Sequence, residues 1–132
     1  MKKLLFLFIP LVLLFGCEGT LTSDIYAEID VVSDVESILR YTPNAYIEEK
    51  FYLTGSNTSA SLVSQNYEVL PTEGFYYWLQ VYEWELGGVG CLDIEIRIYK
   101  NGDLKQTENI QLGFVAPGDY CDTHGNWFTG EL

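Results

Sequence analysis

The sequence predicts an all-β fold, an antiparallel sandwich of about seven strands in two sheets. Three features of the chain support this class. Apolar and polar residues alternate over runs of strand length, turn-forming residues separate these runs, and no convincing amphipathic helix interrupts them. The core is therefore expected to lie between the two sheets.

The clearest strand of the amino-terminal half begins at Ile25 and runs with a period of two. Its apolar positions are Ile25, Ala27, Ile29 and Val31. Tyr, Glu and Asp occupy the positions between them, so this strand is predicted to have one buried and one solvated face. The following residues 35–39 are ambiguous, and they are compatible with a short helical turn before the breaker residues 42–44.

Two further strand candidates follow this breaker. Residues 46–54 form the first of them, with Ile47, Phe51 and Leu53 on a shared side. Residues 59–70, which are rich in Ser and Val, form the second. Together they extend the pattern of strands and turns to the middle of the chain.

The strongest β signal covers residues 75–84, because aromatic side chains of this density suit a pleated surface better than a helix. Both faces carry bulky side chains, so we expect a central strand. One parity consists of Tyr76, Trp78, Tyr82 and Trp84, and the other of Phe75, Tyr77, Leu79 and Val81. The sequence leaves open which parity faces the core. It favours a core position for Trp78 and a surface position for Trp84.

The carboxy-terminal half reads as a hairpin followed by a tail. Residues 92–99 alternate aliphatic positions with polar ones and predict a strand with one wet face. The pair Asn101-Gly102 then predicts a type I′ turn, because both central positions of that turn need a positive φ. Residues 104–112 form the return strand, and the tail 119–132 is expected to add a short edge strand.

The amino terminus has the pattern of an export signal. Two lysines precede an apolar run of residues 4–15, which is shorter than the ~20 residues needed to span a bilayer. The tetrad Leu14-Phe15-Gly16-Cys17 resembles the bacterial lipobox, in which the leader is removed and the cysteine thiol receives a diacylglycerol. This resemblance implies a signal peptide at residues 1–16 and a lipid on Cys17. The alternative is an ordinary cleaved leader with an incidental cysteine.

The chain beyond the predicted leader has the size of one domain. Removal of 16 residues from 132 leaves 116, which is enough for a single core. Residues 17–24 are small and polar and predict a tether, so residues 25–132 are expected to form one β-sandwich domain.

Charge limits the partners of this domain. The leader holds 2 of the 7 basic residues and none of the 19 acidic ones, which leaves a balance of −14. Nucleic acids and anionic head groups are recognised through basic patches, so no nucleic-acid partner is expected. The acidity is compatible with divalent cations, with a basic partner, or with a surface that only keeps the protein soluble.

The cysteines divide into one predicted lipid site and one pair. With Cys17 assigned to the lipid, Cys91 and Cys121 remain, and two cysteines can pair in only one way. An exported domain permits such a bond, so we expect a disulfide between them. A metal or redox pair is the alternative, but the sequence has neither C-x-x-C spacing nor clustered histidines.

Several short segments together resemble one family of small envelope proteins. They are Lys50-Phe51-Tyr52-Leu53-Thr54-Gly55, Ala60-Ser61-Leu62-Val63, Leu70-Pro71 and Ile96-Arg97-Ile98-Tyr99-Lys100-Asn101-Gly102. In this order they are similar to strands of the MmpS family of mycobacterial membrane proteins and of related bacterial lipoproteins, over roughly residues 46–121. Two-cysteine members of that pattern place one cysteine ahead of the last hairpin and one near the end, where Cys91 and Cys121 lie.

The resemblance implies an Ig-like β-sandwich that is held on a membrane surface and faces away from the cytosol. Mycobacterial members accompany large exporters of lipids and siderophores, which implies an accessory role beside a transport system. The chain departs from the family in three ways. Thr72 stands where a Trp would follow Pro71, and the spacing from the cysteine to the hairpin is longer than in the family. The predicted anchor is a lipid, where the mycobacterial proteins have a transmembrane helix.

Few residues are suited to catalysis or to binding a metal. The one histidine, His124, lies in a glycine-flanked tail near Cys121, and residues 119–122 lack the alternating oxygen ligands of a calcium loop. Asp93 and Glu95 share one strand face at i and i+2, where solvated acids are the better explanation. We therefore expect no enzymatic activity, no cofactor and no resident metal, although a weak calcium site elsewhere stays open.

The aromatic residues of segment 75–84 form the candidate binding surface. Tyr76, Tyr82 and Trp84 are its predicted members. Exposed Trp and Tyr rings stack on sugar rings and anchor protein partners, because they combine a large apolar area with a polar tip.

Two functions follow from these observations. The first is a lipid-anchored, non-enzymatic envelope lipoprotein that binds a protein partner or assists a membrane transport system. The second is a surface lipoprotein that binds carbohydrate or another ligand through its exposed aromatics. Either would lie in a bacterial cell envelope, attached to a membrane through Cys17. Glu18 favours the outer membrane, because an Asp at this position resembles an inner-membrane retention signal.

Overall fold

A computed structural model describes residues 22–54, 58–70 and 73–132, and almost all of its secondary structure is β. The strands are β1 (Ser23–Ser33), β2 (Ser37–Pro43), β3 (Glu49–Leu53), β4 (Thr58–Val63), β5 (Tyr67–Val69), β6 (Tyr76–Gln80), β7 (Gly90–Lys100), β8 (Asp103–Ala116), β9 (Asp119–Tyr120) and β10 (Trp127–Glu131). A single turn of 3₁₀ helix, Glu83–Leu86, follows β6.

These strands form two antiparallel sheets that pack face to face. One sheet has six strands in the order β4-β1-β7-β8-β9, with β5 also paired to β1, and the other has four in the order β10-β6-β2-β3. Apolar side chains from both sheets form one continuous core between them. The predicted antiparallel sandwich is therefore confirmed.

The described residues hold ten strands where the sequence predicts about seven. Three short strands account for the difference. β2 covers part of the ambiguous segment 35–39, so the helical turn considered there is wrong. β5 is separated from β4 within the predicted strand 59–70, and β9 adds two residues at the edge of the larger sheet.

The centre of the larger sheet is the pair formed by β1 and β7. Ile29 lies opposite Ile96 and Val31 opposite Ile94, and all four side chains are buried. The alternation predicted for both strands is therefore confirmed. A hairpin turn joins β7 to β8 with φ of 52° at Asn101 and 84° at Gly102, as the type I′ prediction requires.

The interruption between β4 and β5 has a local cause at Ser64. The backbone N–H of Ala27 on β1 donates to the Ser64 hydroxyl at 2.9 Å, and the Ser64 N–H donates to the Ala27 carbonyl at 2.9 Å. The side chain thus replaces one bond of the ladder and lets the chain step from one short strand to the next. Ser64 is buried there with both of these bonds made.

The predicted strand 46–54 is shorter in the structure. β3 begins at Glu49, and Ile47, which shares the parity of Phe51 and Leu53, is 88% exposed. Ile47 therefore lies outside the strand in which it is predicted, and it does not share the buried environment of Leu53. Asn44 and Ala45 have positive φ, which turns the backbone ahead of β3 and breaks the alternation before Ile47.

The aromatic segment 75–84 is a central strand for only half its length. β6 lies between β10 and β2, as the prediction of a central strand requires, but it ends at Gln80. The inner side chains are Phe75, Tyr77, Leu79 and Val81, all of them buried. The favoured core position of Trp78 is therefore wrong, because this tryptophan belongs to the outer parity.

The structure joins Cys91 and Cys121 in a disulfide, in agreement with the predicted pairing. The bond ties the start of β7 to the segment that follows β9, over a separation of 30 residues. Closing a loop of 30 residues contributes roughly 3.6 kcal/mol in the chain-entropy model of disulfide stabilisation. Gly113, opposite Cys91, has φ of 128°, and a Cβ there would lie 2.1 Å from the Gly90 carbonyl oxygen.

The predicted signal peptide 1–16 and Cys17 lie outside the described residues. β1 begins at Ser23, so it includes the last two residues of the predicted tether 17–24. Over the residues that the structure describes, no helix reaches the length and apolar character needed to cross a bilayer.

Gly130 on β10 is a sensitive position of the core. It lies opposite Tyr77, and a Cβ at this position would stand 2.1 Å from Cζ of the buried Tyr77 ring. We expect Gly130→Ala to lower the free energy of unfolding by about 1–3 kcal/mol, because the ring has to move within a packed core. Urea denaturation followed by fluorescence measures this loss.

Thr129→Ala is the matched control for this prediction, since Thr129 is the exposed neighbour on the same strand. Its unfolding free energy should change by less than about 0.5 kcal/mol. Equal stabilities of the two variants would contradict the packing of Tyr77 against Gly130.

Candidate binding site

The outer face of the four-stranded sheet is rich in aromatic side chains. We call this surface the aromatic face, and its members are Tyr52, Tyr76, Trp78, Tyr82, Trp84 and Trp127. It contains all 3 tryptophans of the chain. The inner parity of β6 fills the core, so the outer parity has to carry its rings on the surface.

Polar side chains alternate with the rings across this face. Trp127 lies opposite Gln80, and Thr129 lies opposite Trp78 on the neighbouring strands β10 and β6. These four residues line a shallow depression of about 430 Å³. The face thus offers amide and hydroxyl groups between apolar ring surfaces.

The 3₁₀ turn after β6 gives neighbouring residues opposite environments. Trp84 is 70% exposed, whereas the next residue, Glu85, is buried and its side chain is 0% exposed. Gly87 caps the turn in the left-handed region with φ of 66°, and its N–H donates to the Glu83 carbonyl. If β6 continued, Trp84 would be a residue of the strand. The 3₁₀ turn instead places it at one end of the aromatic face.

Arg40 of β2 compensates the buried charge of Glu85. Its guanidinium donates to Glu85 Oε1 at 2.5 Å and lies 4.8 Å above the centre of the Tyr82 ring. The hydrogen bond to Glu85 raises the pKa of Arg40. Tyr82 also stacks against Trp84, with ring centres 6.0 Å apart, which braces the exposed indole.

A cavity of about 410 Å³ opens beside Trp84 at this end of the aromatic face. Its lining residues are Glu36, Ser37, Ile38, Tyr52, Leu53, Thr54, Trp84, Glu85 and Gly87. Trp84 and Tyr52 present largely exposed rings to it, whereas Ser37 and Glu85 are buried. This volume lies in the range of small-molecule sites, and the lining has the usual mixture of apolar walls and a few polar groups.

Another cavity lies on the larger sheet, and its acids already have partners. It measures about 520 Å³ and is lined by carboxylates of Asp30, Asp93, Glu95 and Asp122. Arg97 binds Asp30 at 2.6 Å and Glu95 at 2.5 Å, and the Gln111 amide donates to Asp93 at 2.8 Å. Asp122 accepts a bond from the Thr123 N–H.

The ionic network around Arg97 is therefore self-contained. The Ser61 hydroxyl donates to Asp30, and this bond together with Arg97 lowers the pKa of that carboxyl. Among the described residues, no cluster of three or more His, Cys, Asp or Glu side chains has a geometry suited to a metal ion.

The structure places the predicted site residues as follows. Tyr76 and Trp84 are exposed, and Tyr82 is half-buried between Arg40 and Trp84. Tyr76 lies at the other end of β6 from the 3₁₀ turn, so it does not join the cavity. The rings of His124 and Phe128 pack edge to face, with their centres 5.0 Å apart.

Sequence reasoning missed four residues of this surface. Trp127 and Tyr52 belong to other strands, and only the sheet pairing brings them to the aromatic face. Ser37 and Glu85 become neighbours of the cavity through the tertiary fold. The one available signal was the acidic flank of Trp84 before Gly87, which is compatible with a turn as well as with a strand end.

A scan against protein-family models finds no match to this chain, and searches of curated proteins and of solved structures find none either. The resemblance to the MmpS family stays a prediction. The site thus has to be interpreted from its own geometry.

Replacing Arg40 tests how much its ion pair with Glu85 contributes to the stability of the fold. In Arg40→Met the carboxylate stays buried without a cation, so we expect a loss of about 3–5 kcal/mol in the free energy of unfolding, measured by urea denaturation.

The double variant Arg40→Met/Glu85→Met is the control, because it buries no charge. Its stability should recover most of the loss, since well-packed apolar residues replace buried ion pairs at little cost. A double variant as unstable as Arg40→Met would mean that packing, and not the unpaired charge, causes the effect.

Proposed function

We propose that this protein is a lipid-anchored, non-enzymatic binding module of the bacterial cell envelope. One observation carries the proposal: every tryptophan of the chain contributes to the aromatic face, outside the core that the tryptophans would otherwise help to fill. Exposed aromatic patches of this kind serve contact with a partner, because burying them on binding removes a large apolar area from water. An accessory role beside a membrane transport system is one form of this function.

The position of the first strand supports an anchored orientation. Five residues lie between Cys17 and Ser23, so the distance from one to the other can reach roughly 20 Å. Asp24 exchanges hydrogen bonds with Asn101, so the turn between β7 and β8 lies at the tethered end of the sandwich. β1 is 11 residues long and carries the chain about 35 Å away from that end, toward Ser37 and the 3₁₀ turn.

Carbohydrate binding is the second candidate for this face. The exposed rings of Trp84 and Tyr52 beside the cavity favour it, since they are 70% exposed each and line one concave surface. Hydroxyl and amide groups between the other rings suit a polyhydroxylated ligand equally well.

Attachment through Cys17 gives the first test. Cys17→Ser should release the protein from the membrane fraction of cells that express it and abolish incorporation of radioactive fatty acid, because no thiol remains to carry the lipid. Cell fractionation and autoradiography measure both effects. Cys91→Ser/Cys121→Ser is the control, and it should keep the label. An unlabelled wild-type protein would overturn the lipid anchor.

Binding through the aromatic face is tested by photo-crosslinking in intact cells. A crosslinking amino acid at Thr129 lies on this face, and one at Thr107 lies on the outer side of the larger sheet. We expect a discrete envelope partner to be captured from Thr129 and not from Thr107. Equal capture from both positions, or none from Thr129 in repeated trials, would contradict the proposal.

A further inference from the structure

We propose that the cavity beside Trp84 binds one neutral sugar residue of a glycan, which donates hydroxyl hydrogen bonds to Glu85 and Ser37. The inference rests on the binding-module function proposed above and names a ligand class and a location for it. Three observations support it: the unpaired buried polar atoms, the charge of the lining residues and the aromatic side chains around the cavity.

Two polar atoms that belong to the lining residues are buried without a hydrogen-bond partner. They are Oε2 of Glu85 and Oγ of Ser37. Leaving a buried acceptor unpaired costs roughly 1–3 kcal/mol, and folded proteins seldom accept that cost without a use for the group. Both residues line the same cavity, so a single ligand seated there lies beside both of them.

The chemistry of these atoms defines what the ligand must offer. An ionised carboxylate only accepts hydrogen bonds, so Glu85 needs a donor, whereas the Ser37 hydroxyl can donate or accept. The other carboxylate oxygen of Glu85 already binds Arg40 at 2.5 Å. Adjacent hydroxyl groups on a ring meet both requirements, since each of them donates and accepts.

Charge argues against an anionic ligand. Arg40 pairs with Glu85, so the buried carboxylate of the lining already has its cation. Glu36 is exposed among the lining residues, and the chain beyond the predicted leader has a balance of −14. Anionic sugars and phosphates are therefore repelled, whereas a neutral polyol is not.

The apolar side chains that line the cavity favour a ligand with a flat apolar surface. Trp84 and Tyr52 present exposed rings, and Ile38 adds an aliphatic contact. A pyranose carries C–H groups on one face and hydroxyls around its edge, so it can stack on an indole while its edge bonds to polar groups. Tyr82 holds the Trp84 ring from another side and reduces the freedom that binding would cost.

The experiment uses the mature lipidated protein in detergent micelles. An array of neutral oligosaccharides identifies a bound glycan, and titration calorimetry then measures its affinity for the wild type and three variants. Trp84→Ala should weaken binding at least tenfold, because it removes the stacking surface. Ser37→Ala should weaken it about threefold to tenfold, which corresponds to one hydrogen bond.

Two controls separate binding from folding. Tyr120→Ala removes an exposed aromatic ring from the other sheet, and it should leave the affinity unchanged. Ser37→Ala removes a hydroxyl without a partner, so its melting temperature should equal or exceed that of the wild type. A lower melting temperature would make Ser37 a structural residue and overturn its assigned role.

Other outcomes are equally decisive. Glycan binding that Trp84→Ala leaves intact would place the site outside the cavity and overturn the inference. Binding of choline in place of any neutral glycan would make the ligand a cation and also overturn the inference. Capture of a protein partner from Thr129, with no glycan bound on the array, would overturn the sugar and leave the binding module standing.

Discussion

The structure depends on one constraint, the burial of the inner side of β6 against the larger sheet. Tyr77 and Leu79 are fully buried there, and Gly130 leaves the space that the Tyr77 ring occupies. A β-strand cannot bury both of its faces in one interface, so the opposite parity, with Tyr76 and Trp78, has to cover the outside. The aromatic surface is thus the necessary complement of the core.

The ion pair of Arg40 and Glu85 is a second interaction on which the structure depends. A buried carboxylate is costly unless a cation and hydrogen bonds compensate it, and Arg40 reaches it from the neighbouring strand β2. This contact ties the 3₁₀ turn to the sheet. Trp84 projects outward from the same turn, so the ion pair also supports an indole ring that is 70% exposed.

Strand alternation was readable from the sequence wherever one face is apolar and the other polar. β1 and β7 show this clearly, and the hairpin at Asn101 follows from a backbone requirement of two adjacent residues. Segment 75–84 resisted prediction because both of its parities are apolar, so local pattern could not choose the side that packs. The site itself depends on pairing between distant strands, and Ser37, Tyr52 and Glu85 approach one cavity only after the sheets form.

The two outer faces of the sandwich differ in how far their polar groups are paired, and this contrast supports the ligand site proposed beside Trp84. On the larger sheet Arg97 binds three carboxylates, so the charges there are satisfied within the protein. Beside Trp84 the balance is different, because polar atoms of Ser37 and Glu85 are buried and unpaired while apolar rings stand in solvent. In the proposed complex, one ligand with an apolar face and hydrogen-bond donors at its edge pairs the polar atoms and covers the rings. On the larger sheet a ligand would meet charged groups that are already paired. Beside Trp84 a ligand would cover exposed apolar rings and also provide hydrogen-bond partners for buried polar atoms.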